Sequence, residues 1–88
     1  HESLYVGVHE RLTELIDWHE VALEKLYDLC KTPKRAVDVF PALFKSEITD
    51  WTFFPATGES LAHLHCALER RMVSVEEDEH GVAWWTQA

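Results

Sequence analysis

The fold is decided by one stretch of sequence, which reads GESLAHLHCALERRM over residues 58–72 and continues as VSVEEDEHGVAWW over residues 73–85. In the second part, apolar residues alternate with others on both sides of a polar loop that contains Gly81, a pattern typical of a β-hairpin. In the first part, the residues of one helix face recur every three or four positions: Leu61, Leu64, His65, Leu68 and Met72. We therefore predict a helix that ends near Met72 and leads into a terminal hairpin.

A longer helix is predicted at the start of the chain. Residues 9–31 carry apolar side chains at helical spacing on one side and carboxylates on the other, and no Gly or Pro interrupts the run from Val8 to Thr32. A helix of this length must cross a compact domain of 88 residues or protrude from it. The residues that precede this helix, Leu4 to Val8, are mostly apolar, which indicates that a neighbouring domain covers them.

A second helix is predicted from Lys34 to Phe44. Pro33 ends the first helix or opens this one, because proline lacks an amide hydrogen and is tolerated in a first helical turn. Pro41 either stands in the first turn of a shorter helix capped by Asp38 or kinks a longer one. Together the elements predict a mainly α fold of the winged-helix type, with three helices followed by a C-terminal β-hairpin.

Composition restricts the classes of function. The 88 residues suffice for one domain, and 47% of them are hydrophobic, as in folded proteins. No apolar run is long enough for a membrane span and the first residues do not resemble a signal peptide, so we expect no membrane partner. The two cysteines, Cys30 and Cys66, are too few for a disulfide framework. We expect both to be buried and reduced, which favours a cytoplasmic protein.

Three aromatic residues stand close together in the connection before the third helix, which itself begins between Thr52 and Thr57. Trp51, Phe53 and Phe54 form a large apolar group for so short a segment. One interpretation is that they fill gaps beneath the helices. The other is that they form an exposed docking patch.

The charges argue against nucleic acid, although winged helices often bind DNA. The formal net charge is -8. The third helix has a net charge of zero from Ala56 to Met72, with its two arginines at the trailing end and not at the turn that reads bases. The predicted wing carries four carboxylates, Glu76 to Glu79, which would repel phosphates. We expect no nucleic-acid partner.

The six histidines do not predict a metal site within the chain. His63 and His65 lie two residues apart and therefore point to different sides of a helix, whereas Glu59 and His63 share a face. A lone Glu–His pair is a structural contact or half of a zinc site, which needs three or four ligands. His19 falls on the apolar side of the first helix and is interpreted as a core or interface residue. No nucleophile elbow or phosphate loop is present, so we expect no catalytic residue here.

Five segments resemble, in order, the winged-helix domain that follows the catalytic domain in metallo-β-lactamase-fold hydrolases, a family that includes hydroxyacylglutathione-hydrolase-like proteins. The segment Gly58–Leu64 is similar to the G-E-[TS]-[LI]-A-H-L helix of that family. The other matching segments are His9–Leu12 with Leu15–Glu20, Pro33–Phe44, Arg70–Val73 and Val82–Trp85.

The resemblance implies a domain cut from a larger hydrolase. It implies that residues 9–88 form the accessory domain and that residues 1–8 are the linker from an N-terminal domain that holds a pair of zinc or other divalent ions. That domain typically ends in a His-Gly pair, so His1 would be the last metal ligand of the intact parent. The parent is then a metal-dependent hydrolase of a thioester, lactam or phosphoester, while the isolated domain holds no cofactor.

We therefore expect a non-catalytic accessory domain. Its partner is its own N-terminal domain, on which it would pack, shaping substrate access or forming a homo-oligomer contact. The residues expected to be structural or interfacial are Glu59, His63, His19, Trp51, Phe53 and Phe54. The rival hypothesis is a free-standing protein-interaction module that uses Trp51–Phe54 and Trp84–Trp85 as hot spots.

Overall fold

The structure, a computed structural model, describes residues 17–88. The predicted linker 1–8, the candidate parent ligand His1 and the first part of the predicted first helix lie outside the described residues.

The described chain forms three helical segments and a hairpin. Helix α1 covers residues 17–29 of the described part. A 3-10 helix, Ala36–Val39, runs directly into α2, Phe40–Leu43, and α3 follows as Phe53–Glu69. The strands β1, Val73–Glu77, and β2, Ala83–Gln87, pair antiparallel with Val75 opposite Trp85. This arrangement confirms the predicted mainly α, winged-helix order.

The second helix is shorter than predicted. Lys34 is not helical, and the predicted single helix from Lys34 to Phe44 is a 3-10 turn followed by one α-turn. Pro41 stands in the first turn of α2, so the kinked alternative is wrong. Asp38 does not cap α2: its carboxylate accepts hydrogen bonds from the Arg35 backbone amide at 2.9 Å and from the Arg35 guanidinium at 3.0 Å, and so closes the preceding turn.

The core lies where the helices meet the base of the hairpin. Helix α1 contributes Leu23, Leu26 and Cys30 from its last turns, and α3 contributes Leu64 and Ala67. The strands complete the core with Val73 and Trp85, both at 2% exposure. Leu23, Leu26, Leu64 and Cys30, which directly follows α1, lie on the faces that the sequence predicts. The predicted face of α3 is only partly right, because Leu61 and His65 are exposed while the core takes the side of Ala56, Ser60, His63, Leu64 and Ala67.

Strand β2 is held on both of its edges. On one edge it pairs with β1, and on the other Trp85 exchanges two backbone hydrogen bonds with Lys34, at 2.8 and 2.7 Å. The Gln87 amide also donates to the Cys30 carbonyl at 2.9 Å. The wing is therefore fastened to the end of α1, which the spacing of the residues did not predict.

Helix α3 ends three residues before the predicted Met72. Arg71 takes a left-handed conformation, with φ 61°, so the helix cannot continue through it. The Arg71 amide donates to the Leu68 carbonyl at 3.0 Å and the Met72 amide donates to the Ala67 carbonyl at 2.9 Å. This pair of bonds is the Schellman termination, which glycine usually closes.

One carboxylate organises the turn of the hairpin. The Asp78 side chain accepts hydrogen bonds from the backbone amides of His80 and Val82, at 2.8 and 3.0 Å, and from the Trp84 indole Nε1 at 2.8 Å. The indole bond is the largest cause that lowers the pKa of Asp78 below its ordinary value. Asp78 therefore holds the turn together, a role that its position among the wing's carboxylates does not predict.

The left-handed backbone of Arg71 should cost the protein stability. Arg71→Gly should stabilise the protein by about 0.5 to 1 kcal/mol, because glycine adopts a positive φ without strain. Arg71→Ala is the matched control, since it removes the same charge but keeps the strain. Urea denaturation of both variants measures the effect. Equal stability of the two variants would contradict this explanation.

The Asp78 network generates a pH-dependent prediction. Because the pKa of Asp78 is lowered in the folded state, its stabilisation is present above the unfolded pKa, about 3.9, and is lost as the pH falls through the folded pKa. Asp78→Asn should therefore lower the urea midpoint at pH 7, with a difference from wild type that shrinks in acid. Trp84 fluorescence reports the transition. Glu77→Gln removes an exposed charge from the same hairpin and should shift the midpoint little at either pH.

Candidate functional site

The strongest cluster of chemically active side chains lies between α1 and α3. The rings of His19 and His63 are 5.0 Å apart, centre to centre. Trp18 meets the His63 ring edge-on at 5.6 Å, and the His19 Nε2 lies 3.5 Å from the Cys66 Sγ. The structure thus brings together His19 and His63, two of the histidines that the sequence singled out. It also adds Cys66, which the sequence did not connect with either histidine.

His63 is fixed by its own helix. Its Nδ1 lies 2.8 Å from the Glu59 main-chain carbonyl oxygen, and because a carbonyl only accepts, Nδ1 carries the proton. The side chain is 5% exposed, and its Nε2 has no hydrogen-bond partner among the described residues. The Glu59 side chain itself points to solvent. The contact between these two residues therefore uses the backbone of Glu59 and not its carboxylate.

The cluster does not have the geometry of a metal centre among the described residues. In the range 17–88, no three His, Cys, Asp or Glu side chains are grouped so that they could hold a metal ion. His65 lies on another side of α3, where its ring packs edge-on against Trp85 at 5.2 Å. The side chains of the cluster instead contact one another across the α1–α3 boundary.

The two cysteines are both free thiols, and they differ in burial. Cys30 is fully buried, and burial raises the pKa of its thiol, which keeps it in the unreactive protonated form. Cys66 is only partly buried, so the expectation that both thiols lie in the core is wrong for Cys66. Cys66 lies at the edge of the core, where its Sγ faces the His19 ring of α1.

The aromatic residues before and at the start of α3 are exposed. Trp51 is 92% exposed and Phe54 83%, which excludes the interpretation that they fill gaps beneath the helices. Phe53 is 43% exposed and packs against Phe40 with ring centres 6.1 Å apart. Trp51 and Phe54 therefore have the accessibility that a docking contact requires.

The second pair of aromatic residues is not accessible in the same way. Trp85 is 2% exposed and belongs to the core. Trp84 is partly buried, donates its indole hydrogen to Asp78 and lies 5.8 Å from the Arg35 guanidinium carbon. The proposal that Trp84–Trp85 forms an exposed hot spot is therefore wrong, because both indoles are used in holding the wing.

The charges on α3 remain unsuited to phosphates. The Arg70 guanidinium donates hydrogen bonds to both carboxylate oxygens of Glu20, at 2.8 and 2.9 Å, and these bonds raise the pKa of Arg70. The positive charge of Arg70 is therefore paired with a carboxylate of the same domain. Arg71 stands beyond the helix end. The wing exposes Glu76, Glu77 and Glu79.

Two apolar clefts flank the short α2. One is lined by Trp18, Val21, Ala42 and Lys45, among others, and the second by Lys45, Ile48, Thr52 and Pro55. Both clefts are open surface grooves. Neither has a set of polar side chains directed at one point, as a binding site for a small polar ligand would have. Among the helices described, none is long and apolar enough to cross a lipid bilayer.

Comparison with known proteins agrees with this geometry. A search of curated proteins finds no match. One similar solved structure is the "Crystal Structure of a Beta-lactamase domain protein from Burkholderia ambifaria", with a TM-score of 0.83 and 28% identity over 92% of this chain. The match covers 24% of that longer chain, so the present sequence spans about a quarter of its relative.

The family model named "Metallo-beta-lactamase-like, C-terminal domain" matches residues 23–88, which include the end of α1, all of α3 and the complete wing. The chain belongs to the family of metallo-beta-lactamase-like C-terminal domains.

Proposed function

We propose that this chain is the non-catalytic accessory domain of a metallo-β-lactamase-fold hydrolase and packs on the catalytic domain that precedes it. The observation that carries the proposal is the family match over residues 23–88, together with a solved relative of which the match covers only 24%. The remainder of such a chain has room for a complete catalytic domain. Packed beside it, the accessory domain would shape substrate access or contribute an oligomer contact.

The use of the chemically active side chains supports a non-catalytic role. His63 donates to the Glu59 carbonyl, Arg70 pairs with Glu20, and Asp78 holds the hairpin turn. Each is committed to a contact within the domain, where a catalytic group would face a substrate cavity. These residues maintain the shape of the domain, and the chemistry belongs to the domain before it.

The parent reaction is the hydrolysis of a thioester, lactam or phosphoester. A bound pair of zinc or other divalent ions in the catalytic domain would supply the hydroxide. The exposed Trp51 and Phe54 also favour one rival, a free-standing protein-interaction module, because exposed aromatic side chains are common binding hot spots.

The experiment compares the longer protein with and without this domain. We expect an upstream H-x-H-x-D-H motif in the same reading frame, bound metal in the longer protein, and hydrolysis of one member of a thioester, lactam and phosphodiester panel. Removal of residues 9–88, which leaves the linker and His1 in place, should lower kcat/KM by about tenfold or more, because the substrate would lose a wall that positions it.

The control is the chain of residues 1–88 alone, which should retain no stoichiometric zinc after dialysis and show no hydrolysis. Tight zinc binding by the chain alone, or an upstream sequence without the metal motif, would contradict the accessory-domain proposal. In the second case, the interaction module becomes the better explanation.

A further inference from the structure

Helix α3 has few charged side chains for a helix with an exposed side: within Phe53–Glu69, only Glu59 and Glu69 are Asp, Glu, Lys or Arg. The core takes one side of this helix through Ala56, Ser60, His63, Leu64 and Ala67. The first part of the opposite side is apolar, and the exposed His65 and Glu69 follow at its C-terminal end. An apolar helix surface is normally buried in folded proteins.

The apolar part of this side has a defined set of residues, which we call the outer face: Phe54, Gly58, Leu61 and Ala62. They follow the spacing i, i+4, i+7 and i+8, so they line one side of the helix. Phe54 is 83% exposed, Leu61 is 37% exposed, and Gly58 and Ala62 are also exposed. Trp51, at 92% exposure, stands just before the same end of the helix.

Gly58 is the most informative residue of the outer face. A glycine in the interior of a helix destabilises it by about 1 kcal/mol relative to alanine. At Gly58 an added Cβ would meet no atom within 4 Å, and the backbone has no positive φ. Nothing among residues 17–88 requires glycine here, whereas a second backbone in close contact with α3 would require it.

We propose that the outer face of α3, with Trp51, is the surface on which the preceding hydrolase domain docks, and that Gly58 admits close contact with that domain. The inference rests on the proposed function and names the surface that this function uses. The solved relative has about three quarters of its length outside the match, which supplies a body large enough to cover the helix.

Area and charge favour this occupant over a second copy of the chain. From Phe54 to Ala62 the outer face is only about 12 Å long, at 1.5 Å per residue. A stable complex between separate chains needs about 800 Å² on each partner, more than so short a stripe offers. A covalently linked domain acts at an effective concentration near the millimolar range, so a small contact is sufficient. Two copies would also each carry a net charge of -8.

The test uses the longer protein and the variant Gly58→Leu. Leucine favours helix, and the space around the Cβ is open, so α3 should stay folded while the docking contact is blocked. Hydrogen exchange of the α3 amides verifies that the helix persists. In the wild type, hydroxyl-radical oxidation of Trp51 and Phe54 should be slow and the two domains should tumble as one body. In the variant, oxidation should rise severalfold and the domains should tumble separately.

Glu24→Leu is the matched control, because it places the same side chain at an exposed position of α1. It should leave both the oxidation and the tumbling as in wild type. If the wild-type domains tumble together while Trp51 and Phe54 are oxidised as fast as in Gly58→Leu, docking uses another face and this inference is wrong.

Two other outcomes are distinct. If the wild-type domains tumble independently, the accessory-domain proposal itself fails. If Gly58→Leu converts a dimer into monomers whose two domains still tumble together, the occupant is a second copy, and this inference is again overturned.

Discussion

The constraint on which the structure depends is that α3 is an almost uncharged helix at the centre of a small acidic domain. One side of the helix is covered by α1, α2 and the base of the wing, where Leu64 and Ala67 are completely buried. Most of the acidic residues among those described lie on α1 and on the wing, at positions such as Glu24 and Glu77 that stay in solvent. The described elements cover only one side of α3.

The regular parts of the fold were predictable from the sequence, because helices and strands impose different spacings on apolar residues. The period of the residues predicted α3 and the hairpin, and it placed Leu23, Leu26 and Leu64 on faces that the structure buries. It did not find the whole buried side of α3, because Leu61 and His65 are exposed while Ser60 and His63 are buried. The ends of elements were not predictable in this way, because they depend on single backbone conformations. Arg71 stops α3 with a positive φ that arginine rarely adopts.

The contacts that join distant segments were also beyond sequence reasoning. The Lys34–Trp85 bridge links residues far apart in sequence through backbone atoms only, so no side-chain pattern records it. The site illustrates the same limit: helical spacing placed Glu59 and His63 on one face, but it could not show that His63 donates to the Glu59 carbonyl and not to the carboxylate. For Trp51, both burial and exposure were open from the sequence, because composition does not say which side of the loop faces the core.

The outer face of α3 differs from the surface that a DNA-binding winged helix presents at the same place in the fold. In DNA-binding members of this architecture, the corresponding helix enters the major groove and needs basic and polar side chains on its free side. Here that side carries Phe54, Gly58 and Leu61, and the nearest arginine, Arg70, is paired with Glu20. A phosphate backbone would gain nothing from such a surface and would be repelled by the wing. A protein surface would gain burial of apolar area and a close backbone contact at Gly58, so the same position in the fold is suited to holding another domain.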